Sequence, residues 1–218
     1  MLNELNTASW LQPHLESVLR NDRAVAVLSS WRKQLPALSG RMKNFENWLL
    51  VELAHDVRDG ARVVLTNGFF AEGTDALAPK RVKARDVRGL RGAASKATYL
   101  SADLSVRPKS GGYLIAEIKT GMAKVELLDD LKRVRFYKQA GIATQAEVGW
   151  VVMLATDSTA RRAGQEAFEK IRRELNGKPD VLMKVTEITD WLLACTILPT
   201  PPNKALHPSA PSAFERRG

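Results

Sequence analysis

Two apolar rhythms run along this chain and exchange at definite places. Trp10, Leu11, Leu15, Val18 and Leu19 recur every three or four positions, the spacing of one helix face. Asn21 or Asp22 can cap a second helix carrying Val25, Leu28, Trp31 and Leu35, which Pro36 stops. Phe45 to Val57 reads as a third, amphipathic helix. The rhythm then shortens to alternation. Tyr99 to Val106 puts Leu100, Ala102, Leu104 and Val106 on one strand face and Ser101, Asp103 and Ser105 on the other. Tyr113 to Lys119 reads as the next strand, and the turn formers between Pro108 and Gly112 join the two as an antiparallel hairpin. A helix is predicted from Val125 to Gln139, a strand from Val148 to Ala155 and a charged helix from Ser158 to Asn176. A short strand from Val181 to Val185 and a final helix from Ile188 to Leu198 complete the folded part. From Pro199 five prolines in the remaining residues rule out a helix or a central strand, and a disordered tail is expected.

This order predicts an α/β fold with a central mixed β-sheet flanked by helices (α-β-β-β-α-β) and preceded by an N-terminal helical pair. The expected divisions are 1–40 for the helical extension, 41–198 for the main domain and 199–218 for the tail. The helical pair can act as a lid, as a dimer arm or as packing on the sheet. Packing is the commonest of these, and a homodimer is among the partner arrangements. A length of 218 residues with 44% apolar content suits one core. Cys195 is the only cysteine, which excludes an internal disulfide and a cysteine metal cluster, and His14, His55 and His207 have no metal-ligand spacing. No leader pattern is present and no apolar run approaches a membrane span, so a cytoplasmic protein with no membrane partner is expected.

The candidate chemistry lies in Glu117-Ile118-Lys119. On a strand, Glu117 and Lys119 share a face, and the hairpin can bring Asp103 to the same point. Two carboxylates beside an ammonium group can hold a divalent cation next to a positive point charge, which is what attack on a phosphodiester requires. A similar acid-to-lysine spacing at Asp130 and Lys132 falls on a predicted helix, where residues two apart diverge. Taken bare, such a triplet is more often a surface ion pair. Glu52 adds a third carboxylate, at the margin of the apolar face of the helix before the sheet, where it is costly without a cation or a donor.

With Asp103, Glu117, Lys119 and the helical Glu52 in this order, residues 44 to 155 resemble the PD-(D/E)XK, or restriction-endonuclease-like, phosphodiesterases. Ala102 stands where the name-giving proline would be. The resemblance implies a metal-dependent nuclease in which Asp103, Glu117 and the carbonyl of Ile118 hold Mg²⁺ or Mn²⁺. Glu52 would bind a second metal or tune the first, and Lys119 would orient the attacking water or stabilise the transition state. It also implies a nucleic acid partner, with DNA as the expected substrate; a nuclease-fold protein that binds without cutting is the alternative. The stretch Asn203 to Pro208 and the arginine-rich end resemble translated recombination sites of integron gene cassettes, which would make the tail a by-product of DNA sequence.

Charge agrees with a polyanionic partner. The formal net charge is +9 and the pI about 9.8. Lys80, Arg81, Lys83, Arg85, Arg88, Arg91 and Lys96 face one acid, Asp86, in the segment leading to Asp103. Such a run gives sequence-independent, salt-sensitive affinity for phosphates, although an ordinary solvated loop can look the same. Lys132, Arg133, Arg135, Tyr137 and Lys138 on the following helix are further candidates for phosphate contacts. The tryptophans are scattered and read as core.

Overall fold

A computed structural model describes residues 8–21, 42–59, 61–65, 81–122, 124–177, 182–188 and 190–197, with the isolated positions 26 and 29. The second helix expected near Val25 to Leu35, Lys80 and the proline-rich tail lie outside the described residues. Helices α1 (Leu11–Arg20) and α2 (Met42–Val57) precede strand β1 (Ala61–Leu65). Next come the short strands β2 (Arg81–Lys83) and β3 (Tyr99–Ser101), with helix α3 (Gly92–Lys96) between them. Then follow β4 (Leu104–Pro108), β5 (Leu114–Thr120), α4 (Lys124–Gln139), β6 (Gln145–Met153), α5 (Ser158–Asn176), β7 (Leu182–Ile188) and β8 (Trp191–Ile197). The main sheet has six strands in the order β1-β4-β5-β6-β8-β7, and β2 pairs with β3 in a separate two-stranded sheet. Only β5 and β6 run parallel in the main sheet; every other pair is antiparallel. A parallel pair needs a crossover, and α4 supplies it.

The fold is therefore α/β, a mixed sheet with helices on both faces. Leu11, Leu15, Val18 and Leu19 of α1 join Phe45, Leu49 and Leu53 of α2 against Ala116, Ile118, Val151, Leu193 and Cys195. The other face carries Leu127, Leu131 and Val134 of α4 and Phe168 and Leu175 of α5, packed on Ile115, Val148, Trp150, Val152 and Leu192. The predicted apolar stripe of α1 is thus spent on the sheet and on α2, where His14 Nδ1 and Ser17 Oγ also meet Asp56 at 2.7 and 2.8 Å. Gly149 of β6 permits this approach: a Cβ there would stand 2.7 Å from Leu15 Cδ1 and 3.0 Å from Leu11 Cδ2.

Two sequence expectations are corrected. The predicted final helix over 188–198 is strand β8, hairpinned to β7 with Ile188 opposite Trp191. Trp191, Leu193 and Cys195 serve one core while Leu192 and Ala194 serve the other. A strand covered on both faces shows no alternation, so its period cannot be told from that of a buried helix. The predicted strand from Tyr99 to Val106 is two strands. It breaks at Ala102-Asp103, where β3 leaves the two-stranded sheet and β4 enters the main one. The faces change at the break: Leu100 and Ala102 pack on the α4 side, whereas Leu104 and Val106 pack on the α1 side.

Candidate functional site

The β4–β5 register sets the site. Leu104 lies opposite Ala116, so Asp103, one step before β4, arrives beside Glu117 on the α4 side of the sheet. Asp103 Oδ2 accepts the Ile118 backbone N–H at 2.9 Å, and, besides burial, the negative charge of Asp103 helps to raise the Glu117 carboxyl. After β5 the chain turns at Gly121, whose φ of +81° favours glycine, and Trp150 Nε1 donates to the Gly121 carbonyl at 2.6 Å. This turn sends α4 back over the strand, and Asp130, Arg133 and Tyr137 come down on the same point.

Glu117 is fully buried. Arg133 Nη2 stands 2.9 Å from Glu117 Oε2 and also pairs with Asp130 Oδ1; Arg133 Nη1 donates to the Ser101 carbonyl at 3.4 Å. The approach to Glu117 is off-line, so neither Glu117 oxygen has a hydrogen-bond donor; Asp130 Oδ2 and the Tyr137 hydroxyl are likewise buried without one. Burial pushes the Glu117 carboxyl well above the usual carboxylate range. Arg133 offsets part of this, and Asp103 and Asp130 add to it. Asp130 is raised for the same first reason, burial, against the pull of Arg133 and Lys119.

Lys119 projects beside this group. Its Nζ lies 3.1 Å from Glu126 Oε2 and 3.6 Å from Glu46 Oε2. Burial alone would lower its pKa, but Asp130, Glu46 and Glu126 outweigh burial and hold it above the ordinary lysine value. Lys119 is thus a lasting cation, suited to stabilising negative charge and unsuited to accepting a proton. Glu46 also accepts from Thr120 Oγ1 at 3.3 Å, and burial, with Asp103 and Asp130 nearby, raises its carboxyl.

The α2 carboxylate at Lys119 is therefore Glu46, where the sequence pointed to Glu52. Six residues of helix separate the two by about 120° in azimuth and about 9 Å along the axis. Glu52 is half-buried elsewhere on α2. Asp130, discounted because it diverges from Lys132, belongs to the cluster as well. Its divergence is real: Lys132 Nζ turns to Asp129 Oδ1 at 2.7 Å and to the Gly89 carbonyl. The legible signal was the helical spacing of Asp130 with Leu127, Val134 and Tyr137, which places a carboxylate on the buried face of α4. For Glu46 the signal was weaker, because it flanks Phe45 on a helix with several acids.

The basic segment sits alongside. Lys83, Arg85, Arg88, Arg91 and Lys96 are exposed, and the Arg91 N–H donates to Asp129 Oδ2 at 3.0 Å, tying the segment to α4. Arg81 begins β2. Lys83, Arg85, Ala97, Thr98 and the 54% exposed Tyr99 line a concavity of about 320 Å³ next to the strand that leads into Asp103. Of the α4 cations, Arg135 is half-buried and Arg133 is committed to the carboxylates.

The donor set is made of oxygens, the kind of donor that a hard divalent cation takes. It offers carboxylate oxygens, one of them on a fully buried side chain whose oxygens have no donor. As the side chains stand, no three Asp, Glu, His or Cys groups among the described residues are close enough together to hold a metal ion. No described helix is long and apolar enough to cross a membrane. No family model, curated protein or solved structure matches this chain.

Proposed function

We propose that this protein is a metal-dependent nuclease with a restriction-endonuclease-like core, hydrolysing phosphodiester bonds of nucleic acid, with DNA the expected substrate. One observation carries the reading: Asp103 and the fully buried Glu117 converge beside a protonated Lys119, and the oxygens of Glu117 have no hydrogen-bond donor. A buried carboxylate in that state is costly to keep for structure alone and suits a cation-binding role.

Asp103 and Glu117 would hold Mg²⁺ or Mn²⁺, with the Ile118 carbonyl next to them in the chain. Such an ion would make a bound water acidic and neutralise charge on the phosphate. Lys119 stabilises the phosphate's developing negative charge from the same strand face. Glu46 and Glu126 hold the Lys119 ammonium, which keeps it charged and fixes its direction. The exposed lysines and arginines from Lys83 to Lys96 draw the polyanion toward this edge of the molecule.

A second reading has its own observation. Arg133 already supplies Glu117 and Asp130 with a positive charge, which suits a nuclease-fold protein that binds nucleic acid or a partner protein without cutting it. Incubation with linear, circular and single-stranded DNA and with RNA, in Mg²⁺, Mn²⁺ or EDTA, separates the two. Cleavage that needs the ion and falls by about 10²-fold or more in Asp103→Asn and Lys119→Ala is expected for the nuclease. Salt-sensitive binding without cleavage would favour the binder. Equal cleavage in wild type and both variants would sink the site.

A further inference from the structure

Arg133 is an unusual neighbour for a metal site. Its guanidinium reaches Glu117 Oε2 and Asp130 Oδ1, and its Nη1 leans on the Ser101 carbonyl next to Asp103. Only 15% of the side chain is exposed. Arg133 Nε is buried without an acceptor, so the guanidinium is held by its two Nη groups alone. The carboxylates are equally ill matched: both Glu117 oxygens and Asp130 Oδ2 lack donors although a guanidinium is within reach. One guanidinium stands among three carboxylates with its hydrogen bonding to them incomplete, an arrangement that leaves room for a different cation.

We infer that Arg133 is an internal competitor for the metal: its guanidinium occupies the space between Glu117 and Asp130, and a divalent cation binds only as that side chain swings out. This rests on the metal-centre reading of the site. It accounts for two facts together. Among the described residues no three carboxylates are close enough to hold an ion as they stand, and a guanidinium reaches two of those at this site. The long, flexible stem of arginine, anchored in the middle of α4, allows the exit, and Asp130 is the carboxylate released by it. Metal affinity is then divided by the fraction of molecules with Arg133 out. A swung-out population of about one tenth lowers the apparent affinity about tenfold.

The test measures Mn²⁺ binding by calorimetry, without nucleic acid, to wild type and to Arg133→Gln. Arg133→Gln is expected to bind Mn²⁺ about tenfold or more tightly than wild type, and to melt at lower temperature without the ion but gain more from it. A merely structural arginine predicts the reverse, a weaker site in the variant. Equal or weaker binding by the variant overturns the inference while leaving the metal centre standing. No binding to either protein overturns the metal centre itself. Should Arg133→Gln fail to fold, exchange of the Arg133 Nε–H in ¹⁵N-labelled wild type decides. Faster exchange at saturating Mg²⁺ supports displacement, and unchanged exchange overturns it.

Discussion

Glu117 and Glu147 lie on adjacent parallel strands, one step out of register, since Ala116 pairs with Glu147 and Glu117 with Val148. That single step puts them on opposite faces of the sheet. Both are buried, and burial raises both carboxyls. Their surroundings differ. Glu147 faces the start of α1, accepts the backbone N–H of Trp10 at 3.0 Å and of Leu11 at 3.4 Å, and takes the Ser9 hydroxyl as well. Ser9 Oγ in turn accepts from Gln12 N at 2.9 Å. Glu147 thus satisfies donors that a helix N-terminus leaves open, and the partial positive charge there favours its anion. Glu117 faces two other carboxylates and one arginine with no donor in line. The oxygens of Glu147 are filled by the start of α1, whereas those of Glu117 meet a guanidinium off-line and no hydrogen-bond donor.

The sharpest way to break this comparison is to remove each acid. Glu147→Ala strands the Ser9 hydroxyl and two helix-end N–H groups, and a loss of about 2–4 kcal/mol in urea unfolding is expected. Glu117→Gln keeps the size of the buried side chain and leaves Arg133 paired with Asp130, so a change within about 1 kcal/mol is expected, together with loss of any stabilisation by Mn²⁺. Equal losses in the two variants would mean that both acids are structural. A smaller effect tests the docking that Glu147 secures. Gly149→Ala drives a methyl into Leu11 and Leu15 and should cost about 1–3 kcal/mol, read in the same titration.

The smallest expected effect is in pH. The folded-state pKa of Glu147 is raised because desolvation by burial outweighs the hydrogen bonds from Ser9, Trp10 and Leu11. The folded protein then binds this proton more tightly than the unfolded chain does. The contribution of Glu147 is full below the ordinary glutamate value and is lost as pH rises through the raised one. Stability measured across that window should fall more steeply for wild type than for Glu147→Gln. A steeper fall in the variant would show that the hydrogen bonds win over burial.

Much of this was legible in order of residues. The alternation through Glu117 and Lys119 and the turn at Gly111-Gly112 implied a hairpin with both charges on one face, and the structure has that hairpin. The charged helix appears as α5 over Ser158–Asn176. Glu46 and Asp130 escaped for a shared reason. Each sits on a helix whose rotation and depth are decided by what it packs against, and a helix can be turned by one residue without altering its apolar count. Arg133 read as a phosphate contact because a basic residue on a helix looks the same whether it faces solvent or a buried acid.

Local chemistry thus determined the hairpin, the charged helix over Ser158–Asn176 and the face shared by Glu117 and Lys119, because alternation and turn preference act between near neighbours. Tertiary structure alone decided the break at Ala102-Asp103, the strand identity of residues 191–197 and the arrival of Glu46, Asp130 and Arg133. Those depend on which surfaces meet. A side chain's role in this fold is set by the charge and the donors opposite it, and the partners of Glu117 and Glu147 come from segments far away along the chain.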